Sequence, residues 1–554
     1  MMTAILLPTL LASVGLALDT ANIVNAKSQM QSAADAAVLA ASRENASDSE
    51  REDLFKDFVG SQFGAGSEIR VASSVLVADE GLNYVELTGT IDAEIDLYLM
   101  QHFGTRDITV SATSFRSTKT LEIAMVLDNT GSMGQGGINA LKKASKALLD
   151  AVESGGDQRQ DVRVGLVPFV TAVNIKGEGY DPAWVDLTGQ SLYNGWNFVE
   201  DPLRTRRELQ GERLSNLEQA EYENVLNGWK GGGAQACKNR GKGSPAIDKR
   251  ERCEMVRVYP HHMRLFETSG TTWKGCVEAR PIPYNFDLTP PDPSKPETLF
   301  VPYFAPDEPG IAMTSGGNDG EKFNNSWLED ETAYQNVSAN YAIIQRHPGK
   351  YMSPAVKTVK EAPNLTLGPN RACPTPVVPL TDDLAKVRTG IDAMQFWNGS
   401  GTNISEGLAW GWRVLSPEAP YTQGSAFNAE NVSKFMVLMT DGTNVSFGAS
   451  KEVINKSDYG AYGFLQTGRI GGKVKQNEAE GVLNGWTSSM CTQMKNQGVT
   501  VFTVLYNTTA ASVQTMLRNC ASKPDNYHLA NNTAALEKAF ADIGRSVATL
   551  HLTH

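Results

Sequence analysis

The sequence predicts a mixed α/β protein whose larger part, residues 120–550, is a doubly wound domain. Mostly apolar runs, such as 121–127 and 162–169, alternate there with amphipathic helical patterns. Short apolar runs are typical of strands buried on both faces of a parallel sheet, and their alternation with helices predicts β-α-β units. The alternation stops over residues 175–375, which are rich in Pro, Gly, Trp, Tyr and Asn. This stretch predicts a large insertion that splits the domain.

The composition of the 554 residues excludes several classes of protein. Hydrophobic residues make up 41% and charged residues 20%, which excludes a wholly disordered chain. The 50 Lys and Arg against 62 Asp and Glu give a net charge of −12. An acidic chain without a basic run is a poor binder of nucleic acid, so we expect no nucleic-acid partner. A single long apolar stretch excludes a protein with several membrane spans.

The apolar stretch lies at the N-terminus, where residues 1–18 carry no charge before Asp19. Eighteen residues is about the shortest length that spans a membrane. Small and apolar residues then continue at helical spacing, at Ala26, Met30 and Ala34 among others. We therefore predict a transmembrane segment at 1–18 and a stalk helix over 19–45. A cleaved secretory signal and a buried core helix are the alternatives, although no basic segment precedes the apolar run as signal peptides require.

The sequence patterns over residues 46–118 predict a small α+β module. The pattern over 48–63 is that of a short amphipathic helix, and residues 97–103 predict a second helical piece. Alternating apolar and polar residues predict strands at 69–72, 84–91 and 108–112.

The elements of the α/β domain follow in order from residue 121. The strand 121–127, an amphipathic helix and the strand 162–169 form the first β-α-β unit. The helix is marked by apolar residues on one face, namely Ile138, Leu141, Leu148, Leu149 and Val152. After the insertion, the patterns predict helices from 382 and 404, a strand at 435–439, a helix at 481–496, a strand at 499–505 and two further helices, the last at 534–550.

Side chains with oxygen atoms follow the carboxyl ends of these strands. Asp128, Thr130 and Ser132 come directly after the first strand, Thr402 opens a helix, and Asp441 follows the strand 435–439. Open α/β sheets bind ligands at this edge, and hard divalent cations prefer oxygen ligands. The five residues therefore predict a site for a hard divalent cation. A strand-to-helix turn capped by Ser132 explains the first three residues alone, but not all five in this order.

These residues resemble the metal-ion-dependent adhesion site of von Willebrand factor A domains, written DxSxS…T…D. Thr130 stands at the first Ser position and keeps the hydroxyl, and Gly131 permits a tight turn between the two hydroxyls. The resemblance implies a doubly wound, Rossmann-like fold and direct ligation of Mg²⁺ by Thr130 and Ser132. It also implies that Asp128, Thr402 and Asp441 reach the ion directly or through water, and that a partner's carboxylate completes the metal shell.

The N-terminal segment resembles that of TadE/TadG-type pilus assembly proteins. Their pattern is a membrane segment, a short spacer and QxAADAAALAA, which Gln31 and residues 32–40 match closely. Other stretches that look like that family are Phe103–Gly104, 108–112, 273–281, 303–306 and 520–522. TadG-like members carry a split von Willebrand A domain, and the resemblance implies that residues 46–118 form a pilin-like module.

The two resemblances together imply a membrane-anchored, exported protein of a bacterial tight-adherence (Tad/Flp) pilus system. Its ectodomain would lie in the periplasm beyond the inner membrane, or at the cell surface or on the pilus. The implied partners are pilins, other pilus assembly proteins or a surface ligand that offers a carboxylate. The implied role is binding, so we predict that the protein is not an enzyme.

The six cysteines predict disulfides in an exported protein, with reduced core thiols as the alternative. Cys491 lies in the helix before the strand 499–505, and Cys520 lies just after the following helix. A right-handed crossover returns the chain beside its start, so we predict that these two are joined. Six cysteines allow 15 full pairings, which leaves the other pairs open. Our hypothesis for the insertion is Cys237 with Cys253 and Cys276 with Cys373.

Two alternative functions remain. The segment from Asp128 to Ser132 also resembles the phosphorylated motif of P-type ion pumps, DKTGT, which would make Asp128 a nucleophile in an aspartyl-phosphate enzyme. Asn129 replaces the lysine of that motif, and Thr130 replaces the second aspartate that a soluble phosphatase needs. A structural scaffold with a vestigial metal site is the other alternative.

The adjacent pair His261 and His262 is predicted to lie on the surface.

Overall fold

A computed structural model describes most of the chain outside the middle of the insertion. It covers residues 2–43, 47–64, 67–80, 84–97, 106–117, 120–155, 162–191, 193–195, 198, 261–308, 325–328, 351, 367–399, 401–446 and 457–549. Within these ranges, the side chains of residues 2–15, 43, 80, 84, 115–117, 154–155, 466 and 549 are not described. The chain divides into two compact units, one of residues 1–120, 151–161 and 545–554 and one of residues 121–150 and 162–544.

The first unit begins with a single helix, α1 (Met2–Arg43). Among the residues whose side chains are described, no helix has the length and hydropathy of a membrane span. Residues 1–15, most of the predicted transmembrane segment, lie outside that set. The predicted anchor therefore stays a prediction.

A second helix, α2 (Asp48–Gln62), begins at a capping box, as its sequence pattern favours. The Ser47 hydroxyl accepts a hydrogen bond from the Glu50 N–H, and the Glu50 carboxylate accepts one from the Ser47 N–H. Each bond satisfies a backbone donor that the first turn of a helix leaves free.

Both helices pack on an antiparallel sheet of three strands, β1 (Ile69–Glu80), β2 (Tyr84–Ile95) and β3 (Arg106–Ser117). The second half of α1 contributes Ala26, Met30, Ala34, Ala37 and Ala41 to the core of this unit. The predicted stalk is thus part of a packed core. Gly89 of β2 permits the close approach, because a Cβ there would lie 2.4 Å from Val38 and 2.5 Å from Phe55. Residues 98–103 of the predicted short helix lie outside the described residues.

Among the described residues, the second unit is built on a sheet of nine strands. They are β4 (Thr120–Asp128), β5 (Val162–Phe169), β6 (Val173–Asn174), β7 (Cys276–Glu278), β8 (Val301–Pro302), β9 (Val378–Thr381), β10 (Val432–Thr440), β13 (Thr500–Tyr506) and β14 (Tyr527–Ala530). A separate hairpin pairs β11 (Tyr459–Gly460) with β12 (Gly463–Phe464). The order in the sheet is β14-β13-β10-β4-β5-β6-β7-β8, and β9 also pairs with β5.

The sheet is mixed, and the insertion extends it on one side. The pairs β4–β5, β10–β13 and β13–β14 are parallel, as the β-α-β pattern predicts. The strands β6, β7, β8 and β9 form antiparallel pairs, and β7 and β8 come from the insertion.

Helices lie on both faces of this sheet. They are α3 (Gly134–Gly155), α4 (His262–Ser269), α5 (Leu384–Ala393), α6 (Ile404–Val414), α7 (Gln476–Asn496), α8 (Ala511–Cys520) and α9 (Thr533–Thr549). Ala124 and Val126 of β4 share one core cluster with side chains of α6, α7 and α8. Ile123 and Met125 are equally buried but point to the opposite face, since side chains alternate along a strand. The buried residues of α3, α5 and α9 lie outside that cluster. The predicted α/β class is confirmed.

Two disulfides join distant parts of this unit. Cys276 is bonded to Cys373, with 5.6 Å between the Cα atoms, and Cys491 is bonded to Cys520, with 5.1 Å. Both pairs are among those predicted from the sequence. The other two cysteines, Cys237 and Cys253, lie outside the described residues.

The prediction that His261 and His262 lie on the surface was wrong for His262, which is fully buried. Its Nδ1 lies 2.6 Å from the carbonyl oxygen of Pro302, and burial lowers its pKa. His261 has a structural role instead, because its Nδ1 accepts a hydrogen bond from the Arg264 N–H at the start of α4. The adjacent pair therefore anchors a helix of the insertion.

Glu308 of the insertion is expected to make stability depend on pH. Burial, followed by the nearby charge of Asp458, raises its pKa from 4.5 to about 8. Between these values the folded protein holds a proton that the unfolded chain releases, so the free energy of unfolding falls as the pH rises. Glu308→Gln removes this dependence while an amide oxygen can still accept the bond from the Asn325 N–H. We expect the variant to be more stable than the wild type at pH 8 by roughly 4 kcal/mol and about equal near pH 4.5. Urea unfolding at both pH values measures this, and parallel pH profiles would contradict it.

Candidate metal centre

The predicted ligands lie at the carboxyl edge of the central strands. Asp128 is the last residue of β4, and it is paired in register with Phe169 at the end of β5. Asp441 directly follows β10, which is the neighbour of β4 in the sheet. Residues more than three hundred positions apart thus meet because adjacent strands end at one edge.

Hydrogen bonds join four of the five predicted residues. The Thr130 N–H donates to Asp128 Oδ1 at 2.8 Å, and the Thr130 and Ser132 hydroxyl oxygens lie 2.9 Å apart. The Ser132 hydroxyl donates to Asp441 Oδ1 at 2.8 Å. Asp128, Thr130, Ser132 and Asp441 therefore form one continuous cluster.

Thr440 is a member of this cluster that was not predicted. Its hydroxyl donates to Asp128 Oδ2 at 2.7 Å, so both oxygens of the buried carboxylate accept a bond. Thr440 is the last residue of β10 and fully buried. The only sequence signal for it was its position just before Asp441.

Thr402 is brought to the same edge by backbone pairing. Its N–H donates to the Val445 carbonyl at 3.0 Å, and the Val445 N–H donates back at 2.7 Å. The next residue, Asn403, donates its N–H to the Val170 carbonyl just beyond β5. Thr402 is thereby fixed between the ends of β5 and β10, and only 8% of it is exposed.

Gly131 serves the site differently from the prediction. Its backbone is not left-handed, whereas that of Gly134 is, with φ of 53°. A Cβ on Gly131 would lie 2.3 Å from Asn398 Oδ1. The glycine therefore makes room for the Asn398 side chain against the turn that carries Thr130 and Ser132.

The cluster places two carboxylates close together in a poorly solvated position. Burial raises the pKa of Asp128, although its hydrogen bonds act in the opposite direction. Burial, and next the charge of Asp128, raises the pKa of Asp441 to about 7. A cation at this position would offset both effects, since an opposite charge favours the ionised form of a carboxylate.

The oxygen spacing fits a small divalent cation. Magnesium holds its ligands at 2.0–2.1 Å in octahedral geometry, which places adjacent ligand oxygens roughly 2.9 Å apart. The observed separations are 2.9 Å from Thr130 to Ser132 and 2.8 Å from Ser132 to Asp441. Among the described residues no three His, Cys, Asp or Glu side chains cluster as a metal site. The donor set here is instead two carboxylates with hydroxyls, which suits Mg²⁺ rather than zinc.

The fold and the site define an α/β protein with a cluster of carboxylates and hydroxyls at the carboxyl edge of its sheet. Residues 1–46 match the model of the Flp pilus-assembly TadE/G-like family. This match confirms the resemblance to TadE/TadG-type proteins in the N-terminal segment. A comparison with curated proteins finds no match.

Solved structures similar to this chain include proteins of bacterial pili. The pilus adhesin SpaC from Lactobacillus rhamnosus GG has 11% identity and a TM-score of 0.30, over 88% of this chain and 36% of SpaC. The vWF domain of the type V pili tip protein Mfa5 from Porphyromonas gingivalis has 9% identity and a TM-score of 0.29, over 79% of this chain and 97% of that domain.

A further similar structure is the proximal thread matrix protein 1 from the mussel byssus with a zinc-occupied MIDAS motif. It has 12% identity and a TM-score of 0.19, over 78% of this chain and 96% of that protein. Of the pilus adhesin SpaC, this chain spans only about a third of the length, at 36%. All of these scores are too low to assign a function to this chain from its structural neighbours.

Proposed function

We propose that this protein is an exported component of a Tad/Flp-type pilus system, anchored in the membrane by residues 1–18, that binds its partner through Mg²⁺. The ion would be held by Asp128, Thr130, Ser132, Thr402 and Asp441. The observation that supports this most directly is the convergence of two carboxylates and two hydroxyls, joined by hydrogen bonds of 2.8–2.9 Å, at one sheet edge.

The five residues divide the work of holding the ion. Asp128 and Asp441 supply negative charge, and the hydroxyls of Thr130, Ser132 and Thr402 supply neutral oxygens. Ser132 is exposed, while Asp128 is fully buried, so the solvent side of the cluster is the side open to a ligand. The bound ion would supply a Lewis-acidic position that accepts a carboxylate of the partner.

Binding accounts for this geometry better than phosphoryl transfer does. A nucleophilic carboxylate must be accessible to an incoming phosphate. Asp128 has no exposed surface. An aspartyl-phosphate enzyme is therefore disfavoured.

The match of residues 1–46 to a pilus-assembly family supports a place in the bacterial cell envelope. Two roles fit this match equally, an assembly factor that stays in the inner membrane with a periplasmic ectodomain and an adhesin carried outward on the pilus. The partner is accordingly a pilin, another pilus assembly protein, or a surface ligand with an accessible carboxylate. Fractionation of cells before and after pili are sheared off separates the two roles.

Capture of the partner tests the proposal. The detergent-solubilised full chain is immobilised and exposed to envelope extracts of the source bacterium, with Mg²⁺ or with a chelator. We expect a partner that is retained by the wild type only in Mg²⁺ and that Asp128→Ala does not retain. Asp292→Ala is the matched control, because Asp292 lies in an exposed turn with bonds to Ser294. Retention that is equal with Mg²⁺ and with chelator would contradict the proposal.

A further inference from the structure

The loop that carries Thr402 is supported from outside itself. Gly399 and Gly401 both have left-handed backbone, with φ of 120° and 89°. Glycine adopts this conformation freely but is also the residue that loses most freedom when it is fixed. A loop of this composition has little stiffness of its own, so its position at the carboxyl edge of the sheet depends on contacts with other segments.

The two ends of the loop are tied to the sheet edge. At the start, the Trp397 N–H donates to the Asn129 carbonyl at 2.8 Å. At the end, Thr402 pairs with Val445. Between these ends, Asn398 packs against Gly131, since a Cβ on Gly131 would lie 2.3 Å from Asn398 Oδ1. None of these three contacts involves Gly399 itself.

Arg371, near the end of the insertion, lies against this stretch. A Cβ on Gly399 would lie 2.5 Å from Arg371 Nε and 3.0 Å from its Cζ, so the guanidinium packs on the glycine backbone. The adjacent Ala372 is fully buried in a cluster with Val170 and Trp397. The segment Arg371–Cys373 therefore contacts the loop at two points, Trp397 and Gly399.

The same segment is firmly attached to the rest of the insertion. Cys373 forms the disulfide with Cys276 in β7. Arg371 Nη2 also lies 3.7 Å from Asp458 Oδ2. The segment is thus anchored on one side and contacts the Thr402 loop on the other.

Arg371 is a costly residue for the fold alone. Only 4% of it is exposed, and its Nε has no hydrogen-bond partner among the described residues. A buried charge with a long ion pair and an unsatisfied N–H contributes little net stability. A role in shaping the neighbouring loop accounts for its position better.

We propose that Arg371 is a positioning residue for the metal centre, which holds the Gly399 stretch so that Thr402 stays at the sheet edge with the other proposed ligands. The insertion thereby becomes part of the metal-binding apparatus. This inference rests on the proposed magnesium site. Without Arg371 the loop populates other conformations, and the affinity for Mg²⁺ falls with the fraction of molecules in which Thr402 is in place.

Magnesium titration by calorimetry on the detergent-solubilised full chain tests the inference. We expect Arg371→Met and Arg371→Lys each to weaken Mg²⁺ binding on the order of tenfold. The lysine variant keeps the positive charge, which separates the positioning effect from electrostatic repulsion of Mg²⁺. Loss of that charge in the methionine variant would by itself strengthen binding. Gly399→Ala disturbs the same contact from the loop side and is expected to have a similar effect.

A double-mutant cycle distinguishes an effect of Arg371 through Thr402 from a purely structural role. If Arg371 acts through Thr402, then Thr402→Ala weakens binding in the wild type but adds little in the Arg371→Met background. Arg280→Met is the matched control, because Arg280 is equally buried in the insertion and donates to the carbonyls of Tyr284, Thr289 and Thr298. We expect it to lower the melting temperature and leave the Mg²⁺ affinity unchanged.

Each other outcome overturns the inference in a distinguishable way. Three outcomes would reject the role of Arg371 and leave the magnesium site standing. The Arg371 and Gly399 variants could bind Mg²⁺ as tightly as the wild type, or the two effects in the cycle could be additive. Arg280→Met could also lose as much Mg²⁺ affinity as Arg371→Met. Failure of the wild type to bind Mg²⁺ at all would reject the proposed metal site and this inference together.

Discussion

Asp128→Ala is expected to lower the affinity of the full chain for Mg²⁺ by roughly a hundredfold or more, which is about 2.7 kcal/mol. Asp128 supplies one of the two full charges in the cluster, and Mg²⁺ gives up its waters reluctantly. The substitution also releases the Thr130 N–H and the Thr440 hydroxyl that fix the carboxylate. Thr402→Ala removes one neutral oxygen that water can replace, so its effect is expected to be smaller.

Asp128→Asn is the companion variant that keeps the shape of the side chain. Its oxygen can still accept from the Thr130 N–H, and its amide can donate to the Thr440 hydroxyl, which can turn to the Gly442 carbonyl at 3.3 Å. Because the repulsion with Asp441 is removed, we expect the metal-free variant to be at least as stable as the wild type. Calorimetry with Mg²⁺ and thermal unfolding measure the two effects. Equal Mg²⁺ binding by the wild type, Asp128→Ala and Asp128→Asn would exclude a metal centre here.

The parts of the fold that could be predicted are those with long regular patterns. The strands β4, β5, β10 and β13 have between seven and nine residues, and their burial on both faces produces apolar runs that sequence alone reveals. The strands β6, β7 and β8 have two or three residues each. Strands this short show no alternating pattern of apolar and polar residues. Their pairing is decided by tertiary contacts, which the disulfide at Cys276 helps to fix.

The N-terminal helix shows the same limit. Helical spacing of small residues predicts a stalk helix over 19–45, and α1 ends at Arg43. The pattern could not tell whether those residues face lipid, another chain or a sheet. The structure packs Met30 and Ala37 on the three-stranded sheet, since Gly89 leaves room there for Val38 and Phe55.

The candidate site was predictable where its residues adjoin strand ends and not where they come from elsewhere. Asp128, Ser132 and Asp441 lie close behind the end of an apolar run, so local pattern was enough. Arg371 contacts Gly399, twenty-eight positions along the chain, which no local pattern reveals. His262 was misjudged for a related reason, because its burial depends on Pro302 and its aromatic neighbours Phe198 and Phe304.

Replacement of both Cys276 and Cys373 by alanine is expected to lower the free energy of unfolding of the larger unit by about 4–5 kcal/mol. The bond closes a loop with a sequence separation of 97 residues, and the entropy that a crosslink removes from the unfolded chain grows with loop length. The double variant Cys491→Ala, Cys520→Ala is a matched control, because all four cysteines are buried and this bond spans only 29 residues. We expect it to cost about 3–4 kcal/mol.

Denaturant unfolding under non-reducing conditions measures both losses, and Mg²⁺ titration distinguishes their consequences. Cys373 lies two residues from Arg371, so loss of its disulfide is expected to loosen the segment that holds the Gly399 stretch and to weaken Mg²⁺ binding. The bond between Cys491 and Cys520 joins α7 to the end of α8, away from that segment. Its removal is expected to lower stability without changing the Mg²⁺ affinity. A greater stability loss for the shorter loop, or an equal loss of Mg²⁺ affinity in the two double variants, would mean that the insertion disulfide has no special connection to the metal centre.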